Sequence, residues 1–435
     1  MRKSLVTALC AATMFVAAAL AAPSQKVAGP SPKRGVGFNQ MALADLVALK
    51  KGVSWAYNWG VGTPDVFRSP EAKDIAFIPM VWGPQQGFLD HLEAVLRTGP
   101  KPAAVLGLNE PNLRGQAFMS PEEAATAFAK LSEQCARHGV RLVAPNMAMG
   151  TPEADSWRGF DPVQGKEVVY TFMIPYLEAF DHFRKKQTAS GKGNGVARSA
   201  ALGVHIYGNI WELKWIVDEL GKRYPGVPIW VTEFNWTGAQ SEADALDYMA
   251  QAVDALERAP NVERYAWFKA DLGDDRHSLI APGGGLTALG RLYASMPHPD
   301  PKRWDKWPGI VKAAGAARIG YQDGASVVYD KEAQIVVRAG AEDGTGRTGE
   351  FVLQVDVAPP GGAGKLILSA ARGRTVFVKV DGAEKTLRIT PPEPGKWGFQ
   401  DYAAPLRLSP GRHVLSFGAD NGDARFDWVS WSLPK

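Results

Sequence analysis

From about residue 34 to residue 296 the chain alternates short apolar runs with longer stretches of helical periodicity. The apolar runs fall at 35–39, 53–59, 75–82, 103–108, 141–144, 200–207, 229–233 and 263–269. Several are nearly continuous in apolar residues, as strands buried on both faces are. Residues 42–50, 89–97, 120–138, 211–223, 241–258 and 287–296 read as helices. Ser120-Pro121-Glu122-Glu123 supplies an N-cap serine, a first-turn proline and a capping-box glutamate, and Gly139 closes that helix. Ser241 and Asp244 repeat the capping spacing. Residues 151–195 are less regular, with a helix expected over 168–186 and a loop over 190–195. Eight strands interleaved with helices across roughly 270 residues predict an α/β fold of the (β/α)8 TIM-barrel type. A doubly wound open sheet would carry a Gly-rich first turn, and Gly35-Val36-Gly37-Phe38 does not continue as one.

The texture changes after Pro297-His298-Pro299-Asp300-Pro301. Helical patterns end, and short alternating runs appear at 326–329, 335–338, 351–357, 365–370, 375–380, 412–417 and 426–433. Turns at Asp381-Gly382, Pro410-Gly411 and Asn421-Gly422 separate them. That pattern predicts an all-β sandwich of about 120 residues.

The first 22 residues carry Arg2 and Lys3 ahead of an Ala-rich apolar run and a small-residue site at Ala19-Leu20-Ala21. They read as a secretory signal peptide and are short for a membrane span. Residues 23–33 read as a linker, 34–300 as the barrel domain and 301–435 as the sandwich. The expected product is secreted, extracellular or periplasmic, with no membrane attachment. Cleavage would remove Cys10 and leave Cys135 without a disulfide partner. A net charge of +4 without a basic cluster gives no support for nucleic-acid binding. Fourteen tryptophans are many for one chain, and aromatic faces serve cores and sugar rings alike.

Two of the apolar runs end in a glutamate. Glu110 follows the fourth in Leu108-Asn109-Glu110-Pro111, and Glu233 ends the seventh in Thr232-Glu233-Phe234. Barrel enzymes keep their chemistry at the C-terminal rim of the strands. Acetal cleavage there needs a proton for the leaving oxygen and a nucleophile at the sugar carbon, and two carboxyl groups about 5–5.5 Å apart supply both with retention. Asn109 is placed to bond a sugar hydroxyl. His205 and Tyr207 end the sixth strand, where Tyr207 is expected to hold Glu233 ionised and its pKa low. Trp267, near the end of the eighth strand, is the expected stacking face. Asn58 is a candidate sugar contact, and Trp55, Trp59 and Trp82 fit core or cleft equally. The acidic loop at Asp271, Asp274 and Asp275 has no EF-hand spacing.

The chain resembles retaining clan A glycoside hydrolases, and most closely glycoside hydrolase family 128. The resembling blocks are Ser54-Trp55-Ala56-Tyr57-Asn58-Trp59, Phe77-Ile78-Pro79-Met80-Val81-Trp82-Gly83, Leu106-Gly107-Leu108-Asn109-Glu110-Pro111, His205-Ile206-Tyr207-Gly208 and Trp230-Val231-Thr232-Glu233-Phe234. The resemblance implies an endo-β-1,3-glucanase-like enzyme, with Glu110 as acid/base, Glu233 as nucleophile, polysaccharide as its partner and no metal or cofactor. Asn112 stands where the family usually has Asp, which predicts an altered loop hydrogen bond. Ile206 stands where it often has Trp, which predicts loss of an aromatic ring near the cleft floor. Another β-linked polymer (mannan or an algal galactan), transglycosylation, and polysaccharide binding without turnover are the alternatives. The C-terminal region resembles carbohydrate-binding modules of families 6 and 35 through Pro410-Gly411-Arg412-His413-Val414-Leu415 and Phe426-Asp427-Trp428-Val429-Ser430-Trp431. Those modules often hold a structural calcium, for which Asp427 is the nominated ligand, and Trp397 and Asn421 are nominated sugar contacts. A monomer is expected.

Overall fold

A computed structural model describes residues 29–189, 201–274, 276–340, 348–383, 385–420 and 422–434. The expected signal peptide, most of the linker and the 190–195 loop lie outside the described residues. The elements run β1 (Arg34–Gly37), α1 (Leu43–Leu49), β2 (Trp55–Tyr57), β3 (Ala76–Phe77), β4 (Met80–Val81), α2 (Gln86–Thr98), β5 (Ala104–Gly107), α3 (Pro121–Arg137), β6 (Arg141–Ala148), β7 (Arg158–Asp161), β8 (Lys166–Val169), α4 (Met173–Ala189), β9 (Ala201–Ile206), α5 (Ile210–Arg223), β10 (Ile229–Phe234), α6 (Glu242–Arg258), β11 (Val262–Trp267) and α7 (Ala288–Ser295).

The parallel sheet has the order β3-β2-β1-β11-β10-β9-β6-β5-β4. Its two outermost members are halves of one strand. Ile78 N–H donates to Ala56 on one side, and Leu106 N–H donates to the carbonyl of Pro79 on the other. The nine hydrogen-bonded segments among the described residues are therefore eight staves, and the third stave closes the barrel. Pro79 has no N–H to give, so the ladder breaks there without leaving a donor unpaired.

Side-chain parity divides the core in two. Trp55, Tyr57, Ile78, Met80, Leu106, Val143, Trp230 and Ala266 fill the barrel. Their strand neighbours, such as Val36, Val105, Val204, Val231 and Tyr265, pack outward beneath the helices. Capping boxes form at Ser120 with Glu123, Asn209 with Glu212 and Ser241 with Asp244. The irregular region after β6 contains an antiparallel hairpin, β7–β8, which the sequence reading missed, before α4 begins at Met173. Cys135 is buried in α3, where desolvation pushes its thiol up to about 12.

Beyond α7 the chain forms two antiparallel-rich sheets. One is built around Glu350–Val357, Gly411–Ala419 and Val376–Val380, the other around Gly362–Ala371, Ala424–Ser432 and Gln400–Leu408. Phe351, Phe417 and Phe426 meet between them. The sandwich seats on α6, where Arg258 donates to the carbonyls of Ala314 and Ala316 and Asp247 accepts from the Tyr329 N–H. No helix among the described residues is long and apolar enough to cross a membrane.

Candidate active site

A cleft of about 730 Å3 opens at the C-terminal rim of the barrel, with Glu110 and Glu233 both on its wall. Two local distortions bring them there. After β5 the backbone takes left-handed φ values at Leu108 (59°) and Glu110 (47°), and Asn109 continues the pairing with Asn146. Non-glycine residues adopt this region at a cost of about 1–2 kcal/mol each. Trp59, which faces the same cleft, has φ 61°. On the other side, a bulge between Val231 and Glu233 shifts the register of β10 against β9. Strict alternation would send Glu233 outward with Ile229 and Val231. The extra residue resets the parity, so Glu233 turns inward and Phe234 packs outward against Tyr265 and Trp267.

Glu233 is almost fully enclosed and accepts three side-chain hydrogen bonds. Trp59 Nε1–H donates to Oε1 at 2.8 Å, Tyr57 O–H to the same oxygen at 3.1 Å, and Tyr207 O–H to Oε2. Burial beside Glu233 pushes both phenols well above their ordinary range, so they remain donors. The expected Tyr207 bond is present, but the expected low pKa is not. Burial raises the Glu233 carboxyl and Glu110 adds to the rise, against the opposing pull of His205, Tyr207 and Trp59.

His205 lies between the two carboxyl groups. Its Nδ1 is 2.8 Å from Glu110 Oε1 and 3.3 Å from Glu233 Oε2. Ionised carboxylates only accept, so Nδ1 carries the proton. Burial alone would lower the imidazole pKa, but Glu233 and Glu110 outweigh it and raise the value. The nearest ligand atoms of Glu110, His205 and Glu233 lie within 4.8 Å of one another, a spacing a cation could also use. The Glu233 oxygens, however, already receive N–H and O–H donors that a cation would have to displace.

Asn58, Trp59, Trp82, Asn109, His205 and Tyr207 all line this cleft, which places Trp59 and Trp82 at the cleft rather than in the core. Asn109 donates to Gln116 at 2.9 Å and leaves its Oδ1 without a protein donor. Trp55 is core, inside the barrel. Trp267 is not a stacking face. It points outward with Tyr265, is buried against Phe234 and Tyr293, and donates to the His277 carbonyl. The next residue, Phe268, has the inward parity and packs on Trp59 and Tyr207 at the cleft. Ile206 is also outward and fully buried, so its identity leaves the cleft floor untouched. Asn39, Tyr57, Gln116, Phe268 and Lys269 are site residues that sequence reasoning missed. Tyr57 was available from its two-residue offset to Trp55 on one strand.

Residues 35–293 match the family model described as the glycosyl hydrolase catalytic core. An endo-β-1,3-glucanase of glycoside hydrolase family 128, subgroup II, from Pseudomonas viridiflava is 32% identical, with a TM-score of 0.51, over 62% of this chain and 99% of that one. The chain belongs to glycoside hydrolase family 128. A second subgroup II endo-β-1,3-glucanase, from Sorangium cellulosum, is 26% identical over 61% of this family 128 chain and 99% of its own, with a TM-score of 0.50. The alkali-sensitive linkage protein 1 of Schizosaccharomyces pombe is 27% identical over 262 residues. That match takes in 57% of the present chain and 41% of the yeast protein's length.

Proposed function

We propose that this chain hydrolyses β-1,3-glucan with retention of configuration, Glu110 acting as acid/base and Glu233 as nucleophile. The observation that carries the reading is the carboxyl spacing of at most 4.8 Å at the facing oxygens. A bound of that size on the facing oxygens is nearer the separation of about 5–5.5 Å in retaining enzymes than the about 6.5–9.5 Å of inverting ones. Glu233, held by Tyr57, Trp59 and Tyr207, attacks the anomeric carbon. The glycosidic C–O bond breaks as Glu110 gives its proton to the leaving oxygen. Water then attacks the glycosyl-enzyme ester, Glu110 takes the water's proton, and Glu233 departs as carboxylate. His205 Nδ1–H keeps Glu110 oriented through both steps. The relatives named endo-β-1,3-glucanases support the choice of polymer.

This reading needs no cofactor. We take residues 34–300 as the catalytic domain and 301–435 as a carbohydrate-binding-like module, and a polymer substrate fits an extracellular or periplasmic location. Within that module Asp427 accepts from Lys312 at 2.5 Å, so an ammonium supplies the counter-charge a calcium would bring. Trp397 is exposed with Arg372 over its ring, while Asn421 lies outside the described residues.

The test is product analysis on β-1,3-glucan, mixed-linkage glucan, β-mannan and agarose, with Glu233→Gln as the blank and the anomeric configuration read by NMR. Oligosaccharides from β-1,3-glucan with retained configuration are expected. Release from another polymer alone would move the substrate. Retention on a polymer without turnover would remove the enzymatic reading.

A further inference from the structure

Among the described residues of the cleft wall, those that can carry charge near neutral pH are Glu110, Glu233, His205 and Lys269. Glu110 and Glu233 share the His205 imidazole. Lys269 stays outside that group. It is half-buried, and among the described residues its ammonium makes no ion pair and no hydrogen bond. The acids that follow it in the chain are engaged elsewhere: Asp271 accepts the Gly273 N–H, and Asp274 bonds to His277. An ammonium partly withdrawn from water loses hydration, and here no protein anion offsets the loss.

The backbone beneath this ammonium is fixed. Phe268 N–H donates to the Phe234 carbonyl, the Asn235 side-chain amide donates to the Phe268 carbonyl at 2.6 Å, and Ala270 N–H donates to the Gly37 carbonyl. Residues 268–270 are thereby pinned between the seventh stave and the first. Phe268 packs on Trp59 and Tyr207, which both donate to Glu233, so Lys269 stands on the nucleophile's side of the cleft. Asn39, Asn58 and Gln116 also line the cleft, and their amides can serve the neutral hydroxyls of a glucan. An ammonium adds what they cannot, a charge-assisted bond to an anion, about twice as strong as a bond between neutral groups.

We propose that Lys269 makes the cleft selective for β-1,3-glucan whose glucosyl units carry an anionic substituent, a carboxylate or a phosphate ester, an inference that rests on the β-1,3-glucan reading. The substituent supplies the counter-charge that the fold does not. The bond cleaved is still the β-1,3 linkage, and Glu110 and Glu233 keep their roles.

The test measures kcat/KM of the full chain on carboxymethylated and on phosphorylated β-1,3-glucan, each divided by its value on the neutral polymer. Lys269→Gln is expected to lower one or both ratios about tenfold, equivalent to about 1.4 kcal/mol. The ratio that falls assigns the substituent. Lys269→Arg, which keeps the charge, should hold most of the ratio, and added salt should bring the wild type towards Lys269→Gln. Lys365→Gln removes an exposed charge from the sandwich and is the control for net charge; it should leave both ratios where they are. Ratios unmoved by Lys269→Gln, or lowered equally by Lys365→Gln, would overturn the selectivity while cleavage of neutral glucan leaves the glucanase reading standing. A wild type inactive on all three polymers would overturn that reading and the selectivity with it.

Discussion

His205 Nδ1 and Glu110 Oε1 are 2.8 Å apart in the closed interior of the cleft, and the same nitrogen reaches Glu233 at 3.3 Å. One proton thus serves two carboxyl groups, and the ionisation of His205 and that of Glu233 depend on each other. The arrangement sets a shared donor between two acidic groups, and it makes stability and catalysis both depend on pH.

The sign follows from the direction of the shifts. His205 and Glu233 both have raised values, so the folded chain binds protons more tightly than the unfolded one. That contribution is complete below the ordinary values, about 4.3 for a glutamate and 6.5 for a histidine, and is lost as pH rises through the raised ones. Thermal midpoints of the wild type should therefore fall as pH increases from weakly acidic to neutral and beyond. Glu233→Gln removes one raised group and the main anion acting on His205, so its midpoint should fall less steeply. A wild-type midpoint that climbs over this range would contradict the assignment.

Tyr207 stabilises the charged form of Glu233 by donating to Oε2. Tyr207→Phe keeps the ring packed on Phe268 and deletes that donor. The Glu233 pKa should rise further, moving the acidic limb of the kcat/KM profile to higher pH. Turnover at the optimum should drop about 100-fold, the scale of losing one donor to a reacting oxygen. Steady-state kinetics across pH read both effects, and an unmoved acidic limb would detach Tyr207 from Glu233.

Replacing Glu110 by Gln removes the transferable proton while leaving an acceptor for His205. Turnover on glucan should fall about 10³-fold or more. An aryl glucoside with a good leaving group needs no proton, so Glu110→Gln should still release phenol in a rapid first turnover and then stall. Glu233→Gln should show no such burst. Stopped-flow release of the phenol separates the two roles, and equal bursts from both variants would exchange or cancel them.

Strand parity explains what the sequence disclosed and what it hid. The eight staves, two of the three capping boxes and the rim positions of Glu110, His205 and Tyr207 are local patterns, readable from spacing. Trp267 was misplaced by one residue, because alternation along β11 was not carried forward to Phe268. The inward turn of Glu233 depends on a bulge, which leaves no mark in composition. In the sandwich, short strands such as Asp305–Trp307, Gly309–Lys312 and Leu387–Ile389 were missed since three or four residues are too few to show a period.

Asn112 shows what the departure from Asp does. Its side-chain amide copies a peptide unit, donating to the Ala148 carbonyl at 2.9 Å and accepting from the Ala148 N–H at 3.2 Å. A carboxylate there would keep the second bond and set an anion against the carbonyl. Asn112→Asp should lose about 1–3 kcal/mol at neutral pH, the scale of an unpaired buried polar group. In acid the protonated carboxyl can donate to Ala148 again, so the gap from wild type should narrow. Urea unfolding at two pH values measures this, and a gap that widens in acid would refute it.

Arg34 and Glu257 form a buried ion pair at 2.9 Å. Arg34 also donates to the Tyr293 and Met296 carbonyls, so the guanidinium of the first strand caps the end of the last helix. Tyr265 O–H bonds the same Glu257 oxygen. Glu257→Gln leaves a buried cation without its counter-charge and should destabilise the chain by about 3–5 kcal/mol. Replacing both partners by Met and Leu often restores stability for an isolated buried pair. Here it should not, because the helix carbonyls lose their donor. Denaturant unfolding of the single and double variants decides the point. A double variant as stable as wild type would show that neither the capping bonds nor the ion pair adds net stability.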